Sequence, residues 1–99
     1  MIYSFADEET ADIYHGISSK RTRKRLSTAL FEKAQMKLDM INRAHLLEDL
    51  RIPPNNKLEK LKGDLAGKYS IRINDQYRIV FIWDANSRSA SEVKIIDYH

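Results

Sequence analysis

Cysteine is absent from this 99-residue sequence, and glycine occurs only three times. The first absence excludes disulfide bonds and thiolate-ligated metal sites. There is no glycine-rich phosphate-binding loop, and neither an HExxH nor a Gly-x-Ser-x-Gly motif is present. The histidines His15, His45 and His99 lie far apart, without metal-ligand spacing. These absences favour chemistry that uses neither a metal nor a cofactor.

Long apolar runs are also missing. No segment approaches the roughly 20 apolar residues of a membrane span, and the N-terminus lacks the basic and apolar regions of a signal peptide. We therefore expect a cytoplasmic protein without membrane contact. A chain of 99 residues predicts a single domain over residues 1–99, with one modest core.

The net charge of +3 is unevenly distributed. Residues 1–50 carry 8 basic and 8 acidic side chains, whereas residues 51–99 carry 9 basic and 6 acidic ones. A basic second half suits a polyanionic partner such as nucleic acid, although a solvated surface gives the same excess. The five cations in residues 20–25 likewise fit either a phosphate-binding stripe or a solvated helical turn.

Residues 7–44 predict helices. Asp7 is typical of an N-cap and Gly16 of a C′ residue, so together they bound a short first helix. Ser18 or Ser19 is expected to cap a longer second helix that runs to about Ala44. Its apolar residues recur at helical spacing: Leu26, Leu30, Ala34, Leu38 and Ile41. This apolar face is expected to cover a sheet.

Residues 69–83 predict a β-hairpin, because apolar residues alternate with other residues on both sides of Asn74-Asp75-Gln76. Val80 and Ile82 make the second strand apolar on both faces, which predicts a central position. We expect a further strand over residues 92–97 and an edge segment over residues 1–5. The order of elements predicts an α+β fold, with two N-terminal helices packed on a small, mainly antiparallel sheet.

The second half of the sequence contains side chains that can cleave RNA without a metal. Such cleavage needs a base for the 2′-OH proton, cations for the phosphorane-like transition state and an acid for the leaving 5′-oxygen. Groups of these kinds stand at seven positions: Lys57, Glu59, Lys60, Lys62, Arg72, Arg78 and His99. Taken alone, Glu59 and its flanking lysines are more typical of a surface salt-bridge cluster.

Three separated motifs carry a resemblance to a known family. Residues 57–64 read K-L-x-x-L-K-G-D, residues 69–81 read Y-S-I-R-I-N-D-Q-Y-R-I-V-F, and residues 97–99 read D-Y-H. In this order they resemble the HigB branch of the RelE/ParE toxin superfamily, in particular chromosomal HigB/GraT-type toxins. The resemblance implies a bacterial type II toxin with a RelE-like fold, in which two N-terminal helices pack on a twisted, mainly antiparallel sheet.

The resemblance also implies an activity and partners. It implies an endoribonuclease that cuts mRNA in the ribosomal A site, without a metal or cofactor, and so inhibits translation. The implied partners are the ribosome with its 16S rRNA, the mRNA, and a HigA-like helix-turn-helix antitoxin. Contact with DNA would then be indirect, through the antitoxin.

Residue roles follow from the same resemblance. His99 matches the catalytic histidine shared by the HigB and YoeB branches, and Arg78 matches an arginine that contacts the scissile phosphate. Glu59 stands where plasmid-type HigB has a second histidine and where YoeB has its glutamate base. The glutamate in this position either preserves the general base, or it gives a weaker site or a different codon preference. Accessory or RNA-binding roles are expected at six positions: Lys57, Lys60, Lys62, Arg72, Asp97 and Tyr98.

Two other functions stay open at this point. One is a ParE-like, non-catalytic inhibitor of DNA gyrase, and the other is a non-toxic nucleic-acid-binding module. A gyrase inhibitor has no evident need for the acid/base pair of Glu59 and His99. A binding module is disfavoured because the sequence lacks a recognisable helix-turn-helix or stacked-aromatic RNA motif.

Overall fold

A computed structural model describes residues 1–97 of the chain. Within these residues lie three α-helices, α1 (Glu8–Tyr14), α2 (Lys20–Arg25) and α3 (Thr28–Arg43). They are followed by four strands, β1 (Glu59–Lys60), β2 (Tyr69–Arg72), β3 (Tyr77–Asp84) and β4 (Ser89–Asp97). Short 3₁₀ turns occupy Leu47–Arg51, Pro54–Asn56 and Gly63–Leu65. Over the same 97 residues, no helix combines the length and apolar character needed to cross a membrane.

The strands form an antiparallel sheet in the order β1-β2-β3-β4. Strand β3 lies between β2 and β4, as its apolar residues on both faces predict. Asn74 shapes the β2–β3 turn, because its Oδ1 accepts hydrogen bonds from the backbone N–H groups of Gln76 (3.0 Å) and Tyr77 (2.7 Å). The predicted hairpin and its turn are confirmed.

The outer parts of the sheet differ more from the prediction. The expected N-terminal edge segment runs parallel to β4, where Ile2 pairs with Ala90 and Phe5 with Val93. Strand β4 begins at Ser89, three residues before the predicted start. Strand β1 was not predicted, since a two-residue strand inside a charged run shows no alternation.

The predicted second helix is divided into two. Ser19 Oγ accepts a hydrogen bond from the Thr22 N–H at 3.1 Å and so begins α2. The chain is then extended at Leu26 (φ −119°, ψ 129°), and Ser27 Oγ caps α3 through the Leu30 N–H at 3.2 Å. The sequence predicts one helix because Leu26 continues the apolar spacing of α3 across the break. In the structure Leu26 is buried but lies outside both helices.

One face of the sheet packs on the helices. The fully buried side chains include Ile13 from α1, Leu38 and Ile41 from α3, and Ile79 and Phe81 from β3. We call this the helix-side face of the sheet. The predicted α+β architecture is therefore confirmed, with three α-helices rather than two within residues 1–97.

Candidate active site

The register of the strands places the main candidate residues on the other face of the sheet. Ser70 pairs with Glu59 on one side and with Val80 on the other, and Arg72 pairs with Arg78. Directly paired residues of antiparallel strands project from the same face, as do residues two apart on one strand. We call this set the site face: Glu59, Ser70, Arg72, Arg78 and Val80.

Arg78 lies at the centre of the site face, and only 9% of its side chain is exposed. Its Nε–H donates to Ser70 Oγ at 2.9 Å, and its Nη2 donates to the carbonyl oxygen of Lys57 at 2.6 Å. Its Nη1 lies 3.9 Å from Oε2 of Glu59. The hydroxyl and the carbonyl together hold the guanidinium plane, so that one of its edges is directed towards Glu59.

The Lys57 carbonyl is directed towards β3 by its local backbone. Lys57 follows the Pro54–Asn56 turn and has the left-handed conformation φ 47°, ψ 55°. Its N–H donates to the Pro54 carbonyl at 3.1 Å, which closes the turn. Strand β1 begins two residues later with Glu59. One turn therefore positions both the acceptor that holds Arg78 and the carboxylate that faces it.

Glu59 is half exposed, with 49% of its side chain accessible to solvent. It can therefore meet a substrate while it stays beside the Arg78 guanidinium. A carboxylate can accept a proton, and the adjacent cation can stabilise negative charge on a phosphate. Within residues 1–97, no three histidine, aspartate or glutamate side chains cluster as metal ligands do.

An open depression of about 560 Å³ adjoins β1. It is lined by Glu59, Lys60, Leu61, Lys62 and Leu65. Lys60 pairs with Tyr69 and so projects from the helix-side face, opposite to Glu59. The three predicted lysines, Lys57, Lys60 and Lys62, are all exposed. The structure therefore places basic groups around the edge of the site rather than in one row on the site face.

Arg72 lies directly opposite Arg78 but has its own ion pair. Its Nη2 contacts Oδ1 of Asp75, a fully exposed turn residue, and Arg72 itself is half-buried. Exposed ion pairs contribute about 0–1 kcal/mol, so a phosphate group can replace Asp75 at little cost. Arg72 is thus a second cation of the site face that stays available to an anionic ligand.

The described part of β4 ends beside the site. Ile96 pairs with Arg78 and so projects from the site face. Asp97 pairs with Tyr77, a residue of the core, and so projects from the helix-side face, opposite to Arg78. Asp97 Oδ2 accepts a hydrogen bond from Nε2 of Gln76 at 3.2 Å. The predicted site residues Tyr98 and His99 lie outside the described residues.

Sequence reasoning misses two contributors to this site. Ser70 holds Arg78 through its hydroxyl, and its place on the site face follows from counting two residues back from Arg72 along β2. The Lys57 carbonyl is the other contributor. No side chain signals it, because any residue can supply a backbone carbonyl.

Comparisons with known protein families agree with the motifs in the sequence. A family model described as "RelE-like toxin of type II toxin-antitoxin system HigB" matches residues 3–99. Toxin HigB-1 of Vibrio cholerae serotype O1 is 47% identical over 58 residues, which are 59% of this chain and 57% of that protein. A Haemophilus influenzae protein is 38% identical over 65 residues, or 66% of this chain and 64% of that protein. The matched part of the chain thus spans less than two thirds of either relative's length.

Solved structures share the fold. Two structures of the YoeB-YefM toxin-antitoxin complex from Staphylococcus aureus superpose with TM-scores of 0.60 and 0.61. Each match covers 100% of this chain and 98% of the other chain, at 23% sequence identity. At this identity the likeness concerns the arrangement of helices and sheet.

Proposed function

This chain belongs to the RelE-like HigB toxin family of type II toxin-antitoxin systems, and from that premise we propose that it is a ribosome-dependent endoribonuclease. It cuts mRNA in the A site and thereby inhibits translation. The observation that carries the proposal is the approach of Glu59 Oε2 to Arg78 Nη1, 3.9 Å apart on one face of the sheet. A carboxylate beside a cation supplies two of the groups that metal-free RNA cleavage needs.

In the proposed reaction, Glu59 takes the proton of the 2′-OH beside the scissile phosphate. The 2′-oxygen attacks phosphorus, and the bond from phosphorus to the 5′-oxygen breaks. Arg78 and Arg72 donate hydrogen bonds to the non-bridging oxygens as negative charge develops there. His99 donates the proton that the leaving 5′-oxygen takes up. The products are a 2′,3′-cyclic phosphate and a 5′-hydroxyl end.

Partners and location belong to the same proposal. The basic groups around the site, Lys57, Lys60 and Lys62, fit the phosphates of 16S rRNA and mRNA. A HigA-like helix-turn-helix antitoxin is the expected inhibitor, which is consistent with the Staphylococcus aureus neighbours being toxin-antitoxin complexes. A ribosomal target implies action in the cytoplasm.

Induced expression followed by mapping of mRNA 5′ ends tests this function. We expect cuts within translated reading frames, in phase with codons. The matched control is the same message without its start codon, which should stay intact because it is not translated. DNA damage without mRNA cuts would instead indicate a gyrase inhibitor, and growth without either effect would contradict a toxin.

Glu59→Gln is expected to slow single-turnover cleavage on programmed ribosomes by about 10- to 100-fold. This loss lies at or below the lower end of usual general-base contributions, about 100-fold, because Glu59 is half exposed and a water molecule can accept the proton in its place. Ribosome affinity should change much less, since the substitution keeps the shape of the side chain. Glu32→Gln on α3 is the control for the loss of one negative charge. Parental cleavage by Glu59→Gln would place the base elsewhere.

Salt dependence tests the basic groups around the site. Replacing Lys57, Lys60 and Lys62 together by glutamine should flatten the log–log slope of ribosome binding against salt by up to about three, roughly one unit for each lost phosphate contact. The matched control replaces three cations of α2, Lys20, Arg21 and Lys24, and should change the slope less. An unchanged slope in the first triple variant, or an equal change in the control, would contradict this RNA-binding surface.

A further inference from the structure

A buried lysine on α3 has no part in the proposed reaction. Lys37 is only 3% exposed, and its Nζ donates a hydrogen bond to Oδ1 of Asn56, which is fully buried. Burial lowers the pKa of Lys37, and the positive charges of Lys33 and Arg72 act in the same direction. Burying such a polar group is unfavourable unless it is hydrogen-bonded. The bond to Asn56 is therefore what makes this burial tolerable.

Asn56 connects Lys37 to the segment that precedes β1. Its Nδ2 donates to the carbonyl oxygens of Leu50 at 3.2 Å and Ile52 at 3.4 Å. Its backbone N–H donates to the Pro53 carbonyl at 2.9 Å. One buried side chain thus holds the backbone of residues 50–56 against α3. An amide suits this place, because it accepts from Lys37 and donates to two carbonyls at once.

The next residue along the chain is Lys57, whose carbonyl accepts the Arg78 Nη2 hydrogen bond at 2.6 Å. A continuous path of bonds therefore leads from α3 to the guanidinium. We propose that Lys37 and Asn56 form a positioning pair, which holds the Lys57 carbonyl in place and through it the Arg78 guanidinium. Only the expected effect of this pair on the cleavage rate rests on the proposed nuclease function. Both residues of the pair are buried, so the proposal gives neither of them a contact with the RNA.

Lys37→Met tests the pair by activity. Methionine fills a similar volume but cannot donate to Asn56, so the Lys57 carbonyl loses its fixed position. A misplacement of about 1 Å can reduce a rate by about 100-fold, and we expect single-turnover cleavage to fall by about 10- to 100-fold. Ribosome affinity should stay near the parental value because the exposed lysines are unchanged. Lys37→Arg, which keeps a charged donor, should recover most of the rate.

The matched control is Lys33→Met, one turn earlier on α3. It removes the same charge from the same helix and leaves the bond between Lys37 and Asn56 in place. We expect near-parental cleavage from this variant. An equal loss of rate in Lys33→Met and Lys37→Met would show that charge, rather than positioning, is responsible, and would overturn the proposal.

A second measurement does not depend on nuclease activity. The Nε–H of Arg78 donates to Ser70 Oγ in a buried environment, so its hydrogen exchange, followed by ¹H–¹⁵N NMR, should be slow in the parent protein. The signal is assigned by its disappearance in Arg78→Lys. We expect faster exchange in Lys37→Met and parental exchange in Lys33→Met. Only Lys37→Met loosens the Lys57 carbonyl, which holds the same guanidinium through Nη2. A guanidinium that is held less firmly should also leave its bond to Ser70 Oγ more often.

The outcomes of these experiments distinguish a failure of the nuclease function from a failure of the positioning pair. A parent that leaves translated mRNA intact would contradict the nuclease, while the exchange of Arg78 Nε–H would still decide the positioning pair. Folded Lys37→Met with parental exchange would overturn the pair, and so would a rate that falls only in proportion to the unfolded fraction. If Lys37→Met fails to fold, Asn56→Asp replaces it, because this variant keeps the acceptor for Lys37 but cannot donate to Leu50 and Ile52. Parental exchange in Asn56→Asp would overturn the pair equally.

Discussion

Arg78→Ala is expected to slow single-turnover cleavage on programmed ribosomes by about 100- to 1,000-fold. The substitution removes a cation whose orientation is set before the substrate arrives, by Ser70 Oγ at 2.9 Å and the Lys57 carbonyl at 2.6 Å. Such preorganised groups stabilise charge that develops in the transition state without having to reorganise. Arg78→Lys should recover only part of the rate, because an ammonium group lacks the planar fork that can contact two phosphate oxygens.

The structure also predicts a cost in stability for the same variant. Alanine leaves the buried Ser70 hydroxyl and the Lys57 carbonyl without their donor, at about 1–3 kcal/mol for an unsatisfied buried group. The cleavage rates of the variants must therefore be compared at equal folded fraction, and thermal unfolding measures that fraction for each variant. Arg88→Ala, in the exposed β3–β4 loop, controls for the loss of one positive charge. Full activity in folded Arg78→Ala would remove Arg78 from the site.

The hairpin shows how far local sequence signals reach. Alternation on both sides of the Asn74-Asp75-Gln76 turn predicts two antiparallel strands, and the observed register pairs Arg72 with Arg78. Because side chains alternate with period two, this pairing decides which residues share a face. A hairpin predicted from the sequence allows the two arginines to share a face, and the observed register shows that they do.

Other features depend on information that the local sequence does not carry. The break between α2 and α3 follows from a second N-cap at Ser27, but the apolar periodicity continues through Leu26 and hides it. Lys57 adopts a left-handed conformation that is uncommon for a lysine, so its residue type does not predict it. The bond between Lys37 and Asn56 joins residues 19 positions apart, which no pattern within one helix or strand reveals.

His99→Ala is expected to have the largest effect, a fall in single-turnover cleavage of about 100- to 10,000-fold, which is the usual range for a general acid or base. The proposed role follows from the resemblance of D-Y-H at residues 97–99 to the RelE/HigB toxins, which implies a catalytic histidine at position 99. Strand β4 leads towards the site, because Ile96 pairs with Arg78 and Asp97 with Tyr77. Imidazole is also the side chain best suited to donate a proton near neutral pH.

A substrate with an activated leaving group separates proton donation from binding. A 5′-thio leaving group needs little protonation, so it should restore much of the lost rate to His99→Ala if His99 is the acid. The same substrate should give much less recovery in Arg78→Ala, because that variant lacks charge stabilisation rather than an acid. His45→Ala, an exposed histidine after α3, is the control for the loss of an imidazole. Parental cleavage of the normal substrate by His99→Ala would exclude His99 as the acid, and a loss that the thio substrate does not restore would assign it to positioning or binding instead.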